Sequence, residues 1–215
     1  MFDSELSQLS VLPIGHEGWR AGFSVLSALM LLCLSVAIGL LLTRVMQSKG
    51  FKTHPVFNLI LTGILAVVLY LRFGLGILAV QGMALFFILL YAACSDLTSH
   101  TVDDSLWVMV GILGLLSVQT VGWASMLTGA VMVFAPQMLF AMLSSGKSLG
   151  GADIKLSTAI AFLLGWQKGL IALVLGLLLA VIVMSIAQKN EKKKKKQPFA
   201  LVPFLAVAAV VIFIL

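Results

Sequence analysis

Three features of the chain predict an all-α integral membrane protein, a polytopic helical bundle of about 7–8 transmembrane segments. Hydrophobic residues make up 61% of its 215 residues and charged ones only 10%, with a mean hydropathy of +1.14, a balance no water-soluble domain of this size carries. The apolar residues fall in runs of membrane-crossing length, given about 20 residues per crossing. The basic residues gather between those runs, where they set orientation. The net charge of +6 therefore reads as a topology signal, and no nucleic-acid partner is expected.

Along the chain, the first apolar run spans 22–44. Ahead of it lies a mixed polar stretch with Asp3, Glu5, Glu17 and Arg20, which lacks the basic n-region of a cleavable signal, so none is expected. Further runs follow at 56–71, 74–95, 106–121 and 123–143, then 154–166 with 169–188, and finally 199–215. The stretch 154–188 is too long for one crossing, and Gly165-Trp166-Gln167-Lys168-Gly169 is read as a tight turn dividing it. Every connection is short, so residues 1–215 are expected to form a single membrane domain.

Loop charge tests this division. With Arg44–His54 placed in the cytoplasm and sides alternating, the cytoplasmic connections hold Arg44, Lys49, Lys52, Lys147, Lys155, Lys189 and Lys192 to Lys196, which is 11 of the 14 basic residues. Arg20, Arg72 and Lys168 fall outside. The positive-inside rule is met only if the turn near Lys168 is included. The N-terminus is then expected outside. The run Lys192–Lys196 is expected to bind anionic lipid headgroups, at roughly 1 kcal/mol per lysine near the surface.

Two carboxylates emerge at one face of this arrangement. Asp96, in Asp96-Leu97-Thr98-Ser99-His100, closes one apolar run, and Asp153, in Gly150-Gly151-Ala152-Asp153-Ile154-Lys155-Leu156, opens another. Ionisable groups at the edge of an apolar bundle are costly and so are functional candidates. Two that meet would share one proton and activate one water, the minimum an aspartic peptidase needs. Asp96 sits at a helix C-terminus, where the helix dipole disfavours an anion, and Asp153 at an N-terminus, where it favours one. On that ground Asp153 is expected to be the base and Asp96 the resting acid. Gly150 and Gly151 are expected to supply torsions closed to other residues and close approach for a substrate strand. Ala152 tolerates less, so no positive φ is expected there. Lys155 is expected chiefly to anchor its helix at the interface.

Other residues are weaker candidates. Asp103 suits an ordinary solvated acid, and Asp104 is a candidate for contacting a basic substrate segment. His16, His54 and His100 read as solvated, and Trp107, Trp123 and Trp166 as interfacial belt residues. Cys33 and Cys94 form no Cys-x-x-Cys pair, so no structural zinc site and no metal or other cofactor is expected.

The heptapeptide Gly150–Leu156 resembles the Gly-x-Gly-Asp motif of the type IV prepilin peptidases. Asp96 followed eight residues later by Asp104 resembles that family's first motif, with Val102 at its aliphatic position. Pro198-Phe199-Ala200-Leu201-Val202-Pro203-Phe204-Leu205-Ala206 is similar to its terminal element. The resemblance covers roughly residues 75–215, and the order and spacing of all three elements agree. Ala152 stands at the motif's second glycine, and Asp103 at the proline expected before Asp104. Residues 1–70 carry no family motif.

This resemblance implies an aspartic endopeptidase with Asp96 and Asp153 catalytic and Asp104, Gly150, Gly151, Ala152 and Lys155 supporting. The implied substrate is a prepilin or pseudopilin with a short basic leader, a glycine before the cut and a hydrophobic helix after it. The chain lacks the large Cys-x-x-Cys loop of the bifunctional enzymes. N-methyltransferase activity is therefore not expected, and the chain looks like the small, peptidase-only branch, of the kind that serves Flp/tight-adherence pili or competence-type systems. The competing readings are a small proton-coupled transporter and an inactive pilus-assembly scaffold. Transport carboxylates lie near the midplane at broken helices, whereas these two sit at one face.

Overall fold

A computed structural model describes residues 16–51, 54–99, 101–144, 150–190 and 200–215. Among these, every regular element is helical: α1 (His16–Ser48), α2 (Pro55–Phe73), α3 (Ile77–Ser99), α4 (Asp104–Gly114), α5 (Val118–Val121), α6 (Trp123–Leu143), α7 (Gly151–Leu164), α8 (Trp166–Asn190) and α9 (Val202–Ile214). A 3-10 turn at Leu115–Ser117 joins α4 to α5, so Asp104–Val121 forms one apolar span. Lys52, His100, Lys147, the run Lys192–Lys196 and Pro198-Phe199 lie outside the described residues.

The all-α polytopic bundle stands. Among the described residues, six helices are long and apolar enough to cross a membrane, with α9 a shorter apolar helix and α7 only 14 residues long. The expected turn after α7 is tighter than the five-residue stretch expected for it. Gly165 alone breaks the helix, at φ +81, and α8 begins at Trp166. A side chain at Gly165 would need that left-handed φ and would also strike Ser125 and Val121 at 2.6 Å, so only glycine fits.

Packing centres on three helices. α9 lies against α3, α7 and α8, while α4 packs on both α3 and α7. These contacts bury Leu85 and Leu89 of α3, Leu156 and Ile160 of α7, and Val202 and Ala209 of α9. Lipid is as apolar as these side chains, so tight van der Waals fit and small residues hold the helices together. Gly129 of α6 shows the closeness reached: an added Cβ would lie 2.8 Å from backbone atoms of Ala161, Gly165 and Trp166. α1 and α2 pair with each other and lean on α3. Arg72, at the end of α2, donates to the Ile214 carbonyl at 3.1 Å, a basic cap on the last turn of α9.

Candidate active site

Asp96 lies in the last turn of α3 and Asp153 in the first turn of α7. α4 and α9 bridge those two helices and bring the carboxylates within electrostatic reach of each other. The loop after Asp96 is held by side-chain bonds: the Ser95 hydroxyl donates to the Thr101 carbonyl at 2.8 Å, and the Thr101 hydroxyl to Ser99 at 2.9 Å. Val102 packs against the core below. Asp96 is only 6% exposed, and its Oδ2 accepts the backbone N–H of Val202 at 3.1 Å. Val202 is the first residue of α9, and the first N–H groups of a helix lack partners within it. The terminal element thus reaches the site through its backbone.

Asp153 is half-buried and lies outside the six spans. Burial pushes its carboxyl up to about 6, the neighbouring Asp96 charge adds to the rise, and a backbone hydrogen bond from Gly150 opposes it. The helix N-terminus was expected to make Asp153 the readier anion, and burial outweighs it.

The glycines act through space. Gly150 is an ordinary extended N-cap at φ -71, ψ 140, a conformation open to other residues, so the expectation of special torsions fails there. An added Cβ would, however, sit 3.0 Å from Asp153 Oδ2, and glycine leaves that carboxylate room. Around Gly151 nothing lies within 4 Å, so the backbone is open to an approaching chain. Ala152 is helical, in keeping with the absence of a positive φ.

Lys155 and Asp104 are partners. Lys155 Nζ donates to Asp104 Oδ1 at 2.7 Å, Trp107 Nε1 donates to the same oxygen at 3.3 Å, and the ammonium stands 5.9 Å from the Trp107 ring. Lys155 is thus more than an interfacial anchor: it ties the start of α7 to the start of α4. Trp107 is likewise more than a belt residue. Asp103, the exposed N-cap of α4, makes no side-chain cap bond.

Two residues were missed in the sequence. A cavity of about 30 Å³ beside Asp153 is lined by Gln137 and Ser157 together with Leu173, Leu177, Leu201 and Leu205. The Ser157 hydroxyl donates to Gln137 Oε1 at 2.8 Å. The available signal was Pro136-Gln137 inside the apolar run 123–143, where an amide is costly unless used. A larger cavity, of about 310 Å³, is lined by Ser117, Thr120, Ser125, Gln167 and Lys168 among apolar residues.

No curated protein and no solved structure matches the chain. One family model does, over residues 83–185, a stretch that takes in Asp96, Asp104, Gln137 and Asp153. With two carboxylates within electrostatic reach of each other and this match across residues 83–185, the chain is similar there to the type IV leader peptidase family.

Proposed function

We propose that this protein is a membrane-embedded aspartic endopeptidase that removes the leader peptide of type IV prepilins or pseudopilins at the cytoplasmic face of the inner membrane. The observation that carries the reading is that Asp96 and Asp153, from separate helices, lie within electrostatic reach of each other, with a cavity of about 30 Å³ beside Asp153. The family match over residues 83–185 supports the peptidase class.

The pair holds one proton because two carboxylates in contact resist a second charge. Asp96, which accepts the Val202 N–H, carries the charge and takes a proton from the attacking water. Asp153, whose carboxyl burial raises, holds the proton and donates to the scissile carbonyl. The water oxygen bonds to the carbonyl carbon, the C–N bond breaks, and the proton on Asp96 passes to the leaving amine.

Loop charge supports an outside N-terminus and a cytoplasmic site. A basic leader must approach a basic face there. Asp104 is occupied by Lys155, so the exposed Asp103 is the acid left to attract the leader, while Lys192–Lys196 engages anionic lipid. The test is cleavage of a prepilin by membranes containing the protein, read as the mass of the product's new N-terminus. Cleavage after a glycine, lost in Asp96→Asn and in Asp153→Asn, is expected. Activity that survives either substitution refutes the dyad.

A further inference from the structure

Gln137 is used by nothing described so far, although it stands on the cavity wall beside Asp153. It sits on α6, directly after a proline within that helix, whereas Asp153 and Ser157 sit on α7. Ser157 is buried, at 4% exposure, and its hydroxyl donates to Gln137 Oε1. That bond fixes the amide: the oxygen is engaged, and the two Nε2 protons are left to donate toward the cavity. The remaining wall is leucine, from α8, from α9 and from Leu201 just before α9, so a charge developing inside faces little competing water and a donor there acts strongly. About 30 Å³ accommodates one water, or one oxygen of a bound peptide.

We propose that Gln137 is a catalytic residue of the peptidase, its side-chain amide donating to the scissile carbonyl oxygen beside Asp153, with Ser157 as the positioning residue that sets the amide. This inference rests on the dyad reading and adds to it a second donor at the oxyanion. As water adds to the carbonyl carbon and loses a proton to Asp96, the C=O electron pair moves onto oxygen. Asp153 and Gln137 meet it there, and the pair returns when the C–N bond breaks. An amide keeps its donors at every working pH. It therefore stabilises the oxyanion without entering the proton inventory of the dyad.

The test compares wild type with Gln137→Met, Gln137→Glu, Ser157→Ala and Asp153→Asn, full-length and in membranes, on one prepilin from pH 5 to 8. Methionine keeps the length and removes both donors, so kcat falls by about a hundredfold while KM holds. A glutamate donates only when protonated, so Gln137→Glu regains activity as pH falls and its profile shifts to the acid side. Ser157→Ala loses less than Gln137→Met, because it frees the amide without removing it. A merely structural glutamine would leave the pH profile unmoved. If Gln137→Met keeps kcat within about twofold of wild type, the proposal is overturned. Should Gln137→Met not fold, Gln137→Glu decides: an acid-shifted profile supports the role, and a wild-type profile overturns it. Wild type that cleaves nothing, or Asp153→Asn that still cleaves, fails the dyad reading first and Gln137 with it.

Discussion

The α1–α2 hairpin and the α3–α9 core both bury polar side chains, and they use them differently. In the hairpin, Asn58 Nδ2 donates to the Thr43 hydroxyl at 3.3 Å, Thr43 donates to the Gly39 carbonyl at 2.8 Å, and Thr62 donates to Asn58 at 2.9 Å. Each of these bonds stays within two adjacent helices. In the core, Asp96, Gln137, Asp153 and Ser157 come from α3, α6 and α7, and the backbone of α9 joins them. Buried polarity alone does not mark a site, because a membrane helix pair also uses it as glue. The core differs in that side chains from α6, α7 and α8 share one small cavity beside Asp153, while Asp96 is tied to the start of α9.

The largest expected effect breaks the two regions apart. Asp96→Asn and Asp153→Asn should each lower kcat by at least about a hundredfold, the scale of lost general acid–base catalysis. Asn58→Leu and Thr43→Val should leave kcat within about twofold while lowering the thermal midpoint in detergent, since each interhelical bond contributes about 1 kcal/mol. A hairpin substitution that removed activity at full stability would place α1–α2 in the catalytic machinery.

A second contrast is steric. An added Cβ at Gly39 meets only the Thr62 side chain, at 3.0 to 3.5 Å, and that side chain is able to rotate away. At Gly129 it meets backbone at 2.8 Å on three atoms, which cannot give without moving the junction of α7 and α8. Gly129→Ala should therefore cost about 1–3 kcal/mol, the range for overpacking, and Gly39→Ala clearly less. Thermal midpoints of the two variants, measured together, check the order. Equal midpoints would mean that α6 and α7 do not pack this closely.

A third contrast is in pH. Asp153 has its carboxyl raised to about 6, above the ordinary carboxylate value of about 3.9. The folded state thus binds the proton more tightly than the unfolded chain. Its contribution to stability is fully present below about pH 4 and is lost as pH rises through about 6. The thermal midpoint should fall between about pH 4 and 6 in wild type and stay flatter in Asp153→Asn, whose side chain does not titrate. An equal slope in the two proteins would remove burial of Asp153 as the cause. The hairpin substitutions should leave the slope untouched.

The bundle was legible because apolar run length and loop charge are statistical signals spread over many residues. Asp96 and Asp153 were legible because a carboxylate at the end of an apolar run stands out. Gln137 was not: one amide in a span has no period, and its significance depends on Ser157, 20 residues away. The part played by Val202 left no trace in side-chain type, because the group that reaches Asp96 is a backbone N–H. The rise at Asp153 was not legible for a different reason. Helix polarity is read from order along the chain, but the burial that opposes it at Asp153 exists only once the helices have packed.

The smallest expected effect concerns the tie between α4 and α7. Lys155 and Asp104 are 51 residues apart, and their side chains are 46% and 71% exposed. Solvent screens such a pair, and exposed ion pairs contribute about 0–1 kcal/mol. Lys155→Met and Asp104→Asn should therefore shift the thermal midpoint little, and the double variant should lose no more than the two singles combined. Activity is the sharper readout, since Lys155 lies two residues past Asp153 and holds the same helix start. If the pair sets the angle of α7, both single variants should lower kcat by a similar factor of about two to ten, because a small misplacement of a catalytic group costs rate steeply. If Lys155 only anchors the helix to the interface, Asp104→Asn should be silent while Lys155→Met is not. Equal effects from the two substitutions would mark the pair as part of the core's convergence, and unequal ones would return it to the class of local glue that holds α1 to α2.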